Sequence, residues 1–216
     1  MGTLLQSPPT PISLADVALI SRQLADDVSR LVLKTEGFSI DDYLSLDGPY
    51  FVEYLDGCLQ VLPMPTALHQ AIAFVFANLL IAYSKPDALA RTKLAPFRVK
   101  INDREFREPD VCFMRGQNAA RRTNLFWIGA DLVAEVVSES NRAHDYQTKL
   151  QEYAAAGIPE YWIIDPADNT IRIFALRESA YIQDGEFRFG QLAKSKSLAG
   201  FEVDVSALFS QAAAQA

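Results

Sequence analysis

Residues Asp131 to Val137 form a short, nearly continuous apolar run with one acid, Glu135, inside it. Such a run, without polar alternation, predicts a strand covered on both faces, the central-strand position of an α/β sheet. Val133, Ala134, Val136 and Val137 surround the carboxylate. An acid in that setting is costly to bury unless it is paired or ligated. The run therefore constrains both the architecture and the chemistry of the chain.

The flanking segments supply the rest of such a layered fold. Apolar residues recur at helical spacing from Leu14 through Val17, Ile20, Leu24 and Val28 to Leu31, predicting a helix within 13–34. Ser39 and Asp42 have capping-box spacing for a short helix running to Leu46. Tyr50–Leu55 and Cys58–Leu62 flank Asp56-Gly57, the signature of a tight hairpin. Thr66 can cap an apolar helix to about Ser84. Strands are expected at Leu94–Ile101 and Pro109–Met114, with a polar, mobile loop from Arg115 to Asn124. After the central run, a helix over 143–156 buries Tyr146, Leu150 and Tyr153 or Ala154, and Gly157 ends it. Tyr161–Ile164 reads as another strand. Thr170–Leu176, Glu186–Phe189 and Phe201–Val205 read as a trailing antiparallel meander.

With 216 residues, half of them apolar, the chain can build one α/β domain with a substantial core. The expected division is an N-terminal arm and helix (1–36), a main domain (37–208) and a frayed tail (209–216). Cys58 and Cys112 lie in strand-like runs outside any CxxC or CxxH pair, which suits buried free thiols in a reducing cytosol. Met1 to Pro11 lacks the basic and apolar regions of a signal peptide. The apolar helix near 68–83 carries His69, Gln70 and Asn78 and suits a core position better than a membrane span. A cytoplasmic protein without membrane association is expected.

The chemistry concentrates on three residues. Asp110 follows Glu108-Pro109 at the start of one strand, Glu135 lies within the next strong one, and Lys149 lies in the helix after it. If the two strands pair, the carboxylates meet at one edge of the sheet. Two carboxylates held together need a cation, and a hard one such as Mg²⁺ or Mn²⁺ accepts oxygen ligands while keeping waters. Asp110, Glu135 and the Val136 carbonyl would be its ligands. Lys149 adds an ammonium group, which suggests chemistry on an anion, most simply a phosphodiester. Each residue alone has a simpler explanation: a strand-start carboxylate, an ion-paired acid, a solvated lysine. His69 sits in a first helical turn, where a core, surface or functional role is open. Asp145 and Tyr153 lie four residues to either side of Lys149 and can share its face, although Tyr153 is equally explicable as core. His144 reads as a solvated helix-end residue and Trp162 as packing.

Pro109-Asp110, Glu135-x-Val137 and Lys149 with Tyr153 resemble the PD-(D/E)XK restriction-endonuclease-like superfamily. More narrowly, three blocks resemble the Uma endonuclease family. They are Asp131-Leu132-Val133-Ala134-Glu135-Val136-Val137-Ser138, then Asp145, Lys149 and Tyr153, then Gly157-Ile158-Pro159-Glu160-Tyr161-Trp162-Ile163-Ile164-Asp165-Pro166. Tyr54-Leu55-Asp56-Gly57 and His69 match its upstream region, and the likeness spans roughly 38–206. The superfamily lysine, two residues after the second acid, is Val137 here, and the resemblance makes Lys149 its replacement. It also implies that the neighbourhoods of Glu53 and His69 approach the metal site. The implied fold is α/β: a restriction-endonuclease-like core with a mixed central sheet flanked by helices, plus an N-terminal helix and hairpin. The implied function is Mg²⁺-dependent phosphodiester hydrolysis on DNA by metal-activated water.

Net charge is −7, which argues against a generic nucleic-acid binder. Residues 91–122, however, hold nine basic residues against four acidic ones. They would form either a local patch facing phosphates or an ordinary solvated surface. The competing functional class is a non-catalytic nuclease-fold module for DNA binding or oligomerisation; a third is a structural protein whose acids only form ion pairs. DNA is the expected partner. The 14–31 segment, which has no place in a minimal core, is expected either to pack on the core or to build a symmetric homodimer or higher homo-oligomer.

Overall fold

The computed structural model describes residues 37–46, 51–139 and 141–216. The N-terminal arm and the helix expected within 13–34, on which the expected oligomer rests, lie outside them. In chain order the elements are α1 (Ile40–Leu44), β1 (Val52–Leu55), β2 (Cys58–Val61), α2 (Ala67–Tyr83), β3 (Arg91–Leu94), β4 (Arg98–Asn102), β5 (Glu105–Arg107) and β6 (Val111–Met114). A 3₁₀ turn (Gly116–Arg121), β7 (Phe126–Ile128), β8 (Leu132–Val136), a π-helical turn (His144–Thr148) and α3 (Lys149–Ala155) follow. The described chain closes with β9 (Glu160–Asp165), β10 (Thr170–Arg177), β11 (Ala180–Phe187), β12 (Leu192–Lys194), β13 (Glu202–Asp204) and α4 (Val205–Ala213).

The main sheet has six strands in the order β11-β10-β9-β8-β6-β3. It is mixed: β8 and β9 run parallel, and β6 and β8 antiparallel. The expected central run is therefore β8, with neighbours on both sides. Its residues alternate between two cores. Leu132, Ala134 and Val136 join Phe76 and Leu80 of α2 and Leu208 of α4. Val133 joins Tyr153 of α3, Tyr161 and Ile163 of β9, and Val99 and Trp127 of the second sheet. Glu135 shares the parity of Val133 and so projects toward the α3 side.

The second sheet has five strands in the order β2-β1-β5-β4-β7. Its hairpin turns at Asp56 and Gly57 with φ of 49° and 84°, the left-handed pair that a tight two-residue turn requires. A smaller core of Tyr43, Val52, Tyr54, Leu59 and Phe106 packs against it. The short helix α1 carries the expected reciprocal cap between Ser39 and Asp42. Thr66 caps α2 through the His69 amide. Among the described residues, no helix is long and apolar enough to cross a membrane.

Several expectations require correction. The strand expected over 94–101 is two strands, because Pro96 lacks the N–H a ladder needs and the chain passes from one sheet to the other there. The loop expected to be mobile is a 3₁₀ turn anchored on buried Asp131, which accepts from the Arg115 amide at 2.8 Å and the Asn118 side chain at 2.6 Å. Of the trailing meander, Thr170–Leu176 is β10, but the strand expected at Glu186–Phe189 starts earlier, as β11 over Ala180–Phe187 paired with β10. Glu202–Asp204 pairs with Leu192–Lys194 in a separate ribbon.

The tail expected to fray from 209 is helical through Ala213. Asp204 caps α4 through the Ala207 amide, and Phe209 and Ala212 are buried in the core beside α2. Ending the chain at Leu208 is therefore expected to cost about 2–4 kcal/mol, mainly the burial of Phe209. Urea unfolding of the truncated and full chains checks this; coincident midpoints would show that the last turns contribute nothing.

Candidate active site

Antiparallel pairing of β6 with β8 sets Val111 opposite Ala134, so Asp110 and Glu135 come together at one end of that ladder. The Asp110 amide lies 3.5 Å from Glu135 Oε2, and the Val136 amide donates to Asp110 Oδ2 at 2.7 Å. His69, from the first turn of α2, places Nε2 3.1 Å from the same Asp110 oxygen. Lys149 reaches in from the α3 side, with Nζ 3.0 Å from Glu135 Oε1 and 3.2 Å from Asp145 Oδ1. The Tyr153 hydroxyl donates to Glu135 Oε1 at 2.6 Å. All three residues singled out in the sequence thus converge, together with His69, Asp145 and Tyr153.

The π-helical turn closes with the Lys149 amide bonded to the His144 carbonyl, one residue wider than an α-turn. Asp145 and Lys149 are both buried and paired with each other, with Lys149 reaching on to Glu135, whereas Tyr146 and Leu150 are only half-buried.

Glu53 is fully buried on β1 and is held by Arg107, whose guanidinium lies 2.7 Å away. Arg107 also contacts Glu105 at 2.8 Å and Glu152 at 2.6 Å. Glu53 therefore borders the site as half of an ion pair. Its second oxygen accepts from the Glu108 amide at 3.2 Å, which fixes the segment leading to Asp110. In the sequence Arg107 counts only as one of the basic residues of 91–122, and no local pattern marks it as the partner of Glu53.

The electrostatics follow from one cation shared among several acids. Burial works against the Lys149 ammonium. Glu135, Asp145, Glu53 and Asp110 outweigh it and hold the lysine charged, well above its usual range. One ammonium cannot balance both Glu135 and Asp145. Burial, helped by Asp110 and Asp145, pushes Glu135 up to about 8 against the pull of Lys149 and the Tyr153 hydroxyl. Burial opposes charge on His69, but its contacts with Asp110 and the Val136 backbone raise it overall. His144 is not the solvated end residue expected. It is half-buried in the cleft wall, and burial followed by Lys149 pushes it down to about 4.

The elevated Glu135 has a testable sign. Any divalent cation taken up by this carboxylate must displace its proton below about pH 8, so binding of added Mg²⁺ through Glu135 should rise with pH and level off above that point. The metal-free protein should show the opposite trend from this group. The native state keeps a proton that the unfolded chain loses near its ordinary value, so stability falls as pH rises from 4.5 to about 8. Calorimetric titration with Mg²⁺ across this range checks the first statement; a pH-independent affinity would contradict it.

Asp110, Glu135, Lys149, Asp145, His69 and His144 line a cleft of about 900 Å³. None of the nine basic residues of 91–122 lines it. Arg98 binds the Leu44 and Leu46 carbonyls, Arg104 pairs with Asp56, Arg107 is buried, and Arg115 and Arg121 hold Asp131. Lys100 pairs with Asp103, and Arg91 and Arg122 bond to backbone carbonyls. Lys93 lies over the Phe97 ring, and Arg91, Lys93 and Arg104 are exposed. Apart from buried Arg107, the stretch is thus a surface of locally paired side chains away from the cleft, the second of the two readings.

Comparison with known proteins bears on this arrangement. A search of curated proteins finds no match. A crystal structure described as a "putative nuclease belonging to DUF820 from Anabaena variabilis ATCC 29413" superposes with a TM-score of 0.67 at 22% identity. The match covers 81% of this chain and 99% of that one, and it bears on the fold. The family model Uma2, described as "Putative restriction endonuclease", matches residues 40–206. That span runs from α1 through the start of α4 and contains every residue of the cluster, and the chain belongs to the Uma2 family.

Proposed function

We propose that the protein is a Mg²⁺-dependent endodeoxyribonuclease that hydrolyses phosphodiesters. One observation carries this reading: Asp110, Glu135 and Lys149 meet at the end of the β6–β8 ladder in an open cleft. Membership of the Uma2 family supports the nuclease class.

The donor set fits Mg²⁺ or Mn²⁺. Among the described residues, no three His, Cys, Asp or Glu side chains form a metal cluster. Asp110, Glu135 and the Val136 carbonyl offer oxygen donors only, which suits a hard cation that keeps several waters. Bound there, the ion supplies Lewis acidity that activates water and offsets charge on the phosphoryl oxygens. The protein's own groups do the positioning. The Val136 amide and His69 orient the Asp110 carboxylate, while Tyr153 and Lys149 orient Glu135. Lys149 also keeps a positive charge where negative charge grows on the phosphate.

The second reading is a non-catalytic nuclease-fold module. Glu135 favours it, because Lys149 and Tyr153 already engage that carboxylate. A nicking assay on plasmid DNA, with Mg²⁺ and with a chelator, separates the two. Cleavage that requires Mg²⁺ and is lost in Asp110→Asn supports the nuclease; an intact plasmid under both conditions supports the module.

A further inference from the structure

We propose that the cleft takes DNA as a single strand, with bases against an apolar wall and a neighbouring phosphate at Arg142. This rests on the nuclease reading and names the substrate form. Two features of the cleft rim carry it.

The first is apolar. Phe51, Leu62, Met64 and Leu68 line the cleft together with Pro63 and Pro65. Met64 is 75% exposed and Leu68 37% exposed, immediately before His69. Large apolar side chains left open beside a polar site mark a surface that is covered in use. Paired bases inside a duplex do not offer their faces to such a wall, whereas unpaired bases stack on apolar and aromatic side chains.

The second is the charge of the lining. Glu108, Asp110, Glu135, Glu139, Asp145 and Asp165 line the cleft, against Arg142, Lys149 and two histidines among the described residues. A duplex brings two phosphate backbones and is held by many cationic contacts. Lys149 is committed to Glu135 and Asp145. Arg142 too is paired with two acids, Asp165 at 2.8 Å and Asp168 at 2.6 Å, but where the Lys149 side chain is 6% exposed its own is 42% exposed. It also lies over the Tyr146 ring at 5.4 Å. A fixed planar fork with exposed area suits one phosphate beside the one being cleaved. One apolar wall and one cation match a strand with one base edge and one phosphate edge.

The test uses the full chain with a short labelled mixed-sequence oligodeoxynucleotide, single-stranded and annealed to its complement. Binding is read by anisotropy, cleavage in Mg²⁺ by gel. The single strand should bind about 10-fold or more tighter than the duplex and be cut preferentially. The double substitution Met64→Ser with Leu68→Ser should weaken single-strand binding about 10-fold while leaving calorimetric Mg²⁺ affinity unchanged. Arg142→Gln should weaken binding and make its salt dependence shallower by about one unit of slope. Equal or tighter binding and cutting of the duplex would overturn the inference and leave the nuclease reading intact, as would unchanged binding in the double variant. Preferential single-strand binding with no cleavage would support the inference and sink the nuclease reading. Failure to bind either form would overturn the inference.

Discussion

Asp110→Asn should abolish Mg²⁺ binding and slow DNA cleavage on the order of 10³-fold, equivalent to about 4 kcal/mol of lost transition-state stabilisation. The substitution removes one negative charge from the pair of carboxylates proposed to hold the cation. Asparagine keeps an oxygen that can accept from the Val136 amide, now bonded to Asp110 Oδ2 at 2.7 Å, so the local backbone retains its partner. Asp110→Ala would leave that amide unsatisfied and mix a folding cost of about 1–3 kcal/mol into the result. The expected pattern is a melting temperature close to the parent without metal, no calorimetric Mg²⁺ signal, and cleavage slowed by about that factor. Retained Mg²⁺ affinity would place the cation elsewhere and remove Asp110 from the site.

What could be read from the sequence follows from how local each determinant is. The central strand was legible because its signal lies within seven consecutive residues, Asp131 to Val137. The hairpin was legible because Asp56-Gly57 is itself the turn. Asp110 and Glu135 were readable as partners because each sits at a recognisable place on a strand and the strands are adjacent. Lys149 is different: nothing in its helix distinguishes it from a solvated lysine, and the family resemblance drew attention to it.

The misses are non-local. Arg107 is defined by Glu53, Glu105 and Glu152, two of which come from elements far away in the chain. The basic stretch 91–122 was visible as composition, but its direction depends on distant partners such as Asp56, Asp131 and the Leu44 carbonyl. The three residues of β5 are too few to show alternation. Pro96 did mark the break between β3 and β4, and one continuous strand across it ignored that mark. The helix after the central strand was recognisable, but its π-helical turn was not. His144, which opens that turn, lines the cleft.

Lys149→Ala should separate the lysine's two tasks, balancing buried acids and assisting catalysis. Lys149 is buried between Glu135 and Asp145, at 3.0 and 3.2 Å. Removing one member of a buried ionic cluster typically costs about 3–5 kcal/mol, because the remaining charges are left unbalanced. Uptake of a proton by Glu135, already pushed up to about 8, should moderate that loss. The metal-free variant should therefore melt well below the parent. Mg²⁺ should then raise its melting temperature by more than it raises the parent's, since the cation replaces a missing positive charge and no longer faces a like one. Cleavage should nevertheless fall about 10²–10³-fold, the usual loss when one charge-stabilising donor is removed from a reaction site. Lys149→Arg should rescue poorly, because a broad guanidinium does not fit the space of a compact ammonium closed in by Tyr153. Thermal melts with and without Mg²⁺, alongside cleavage rates, give both readouts from the same samples. If Lys149→Ala is destabilised but cuts like the parent, the lysine is only the counter-ion of Glu135 and Asp145, and catalysis rests on the two carboxylates and their cation.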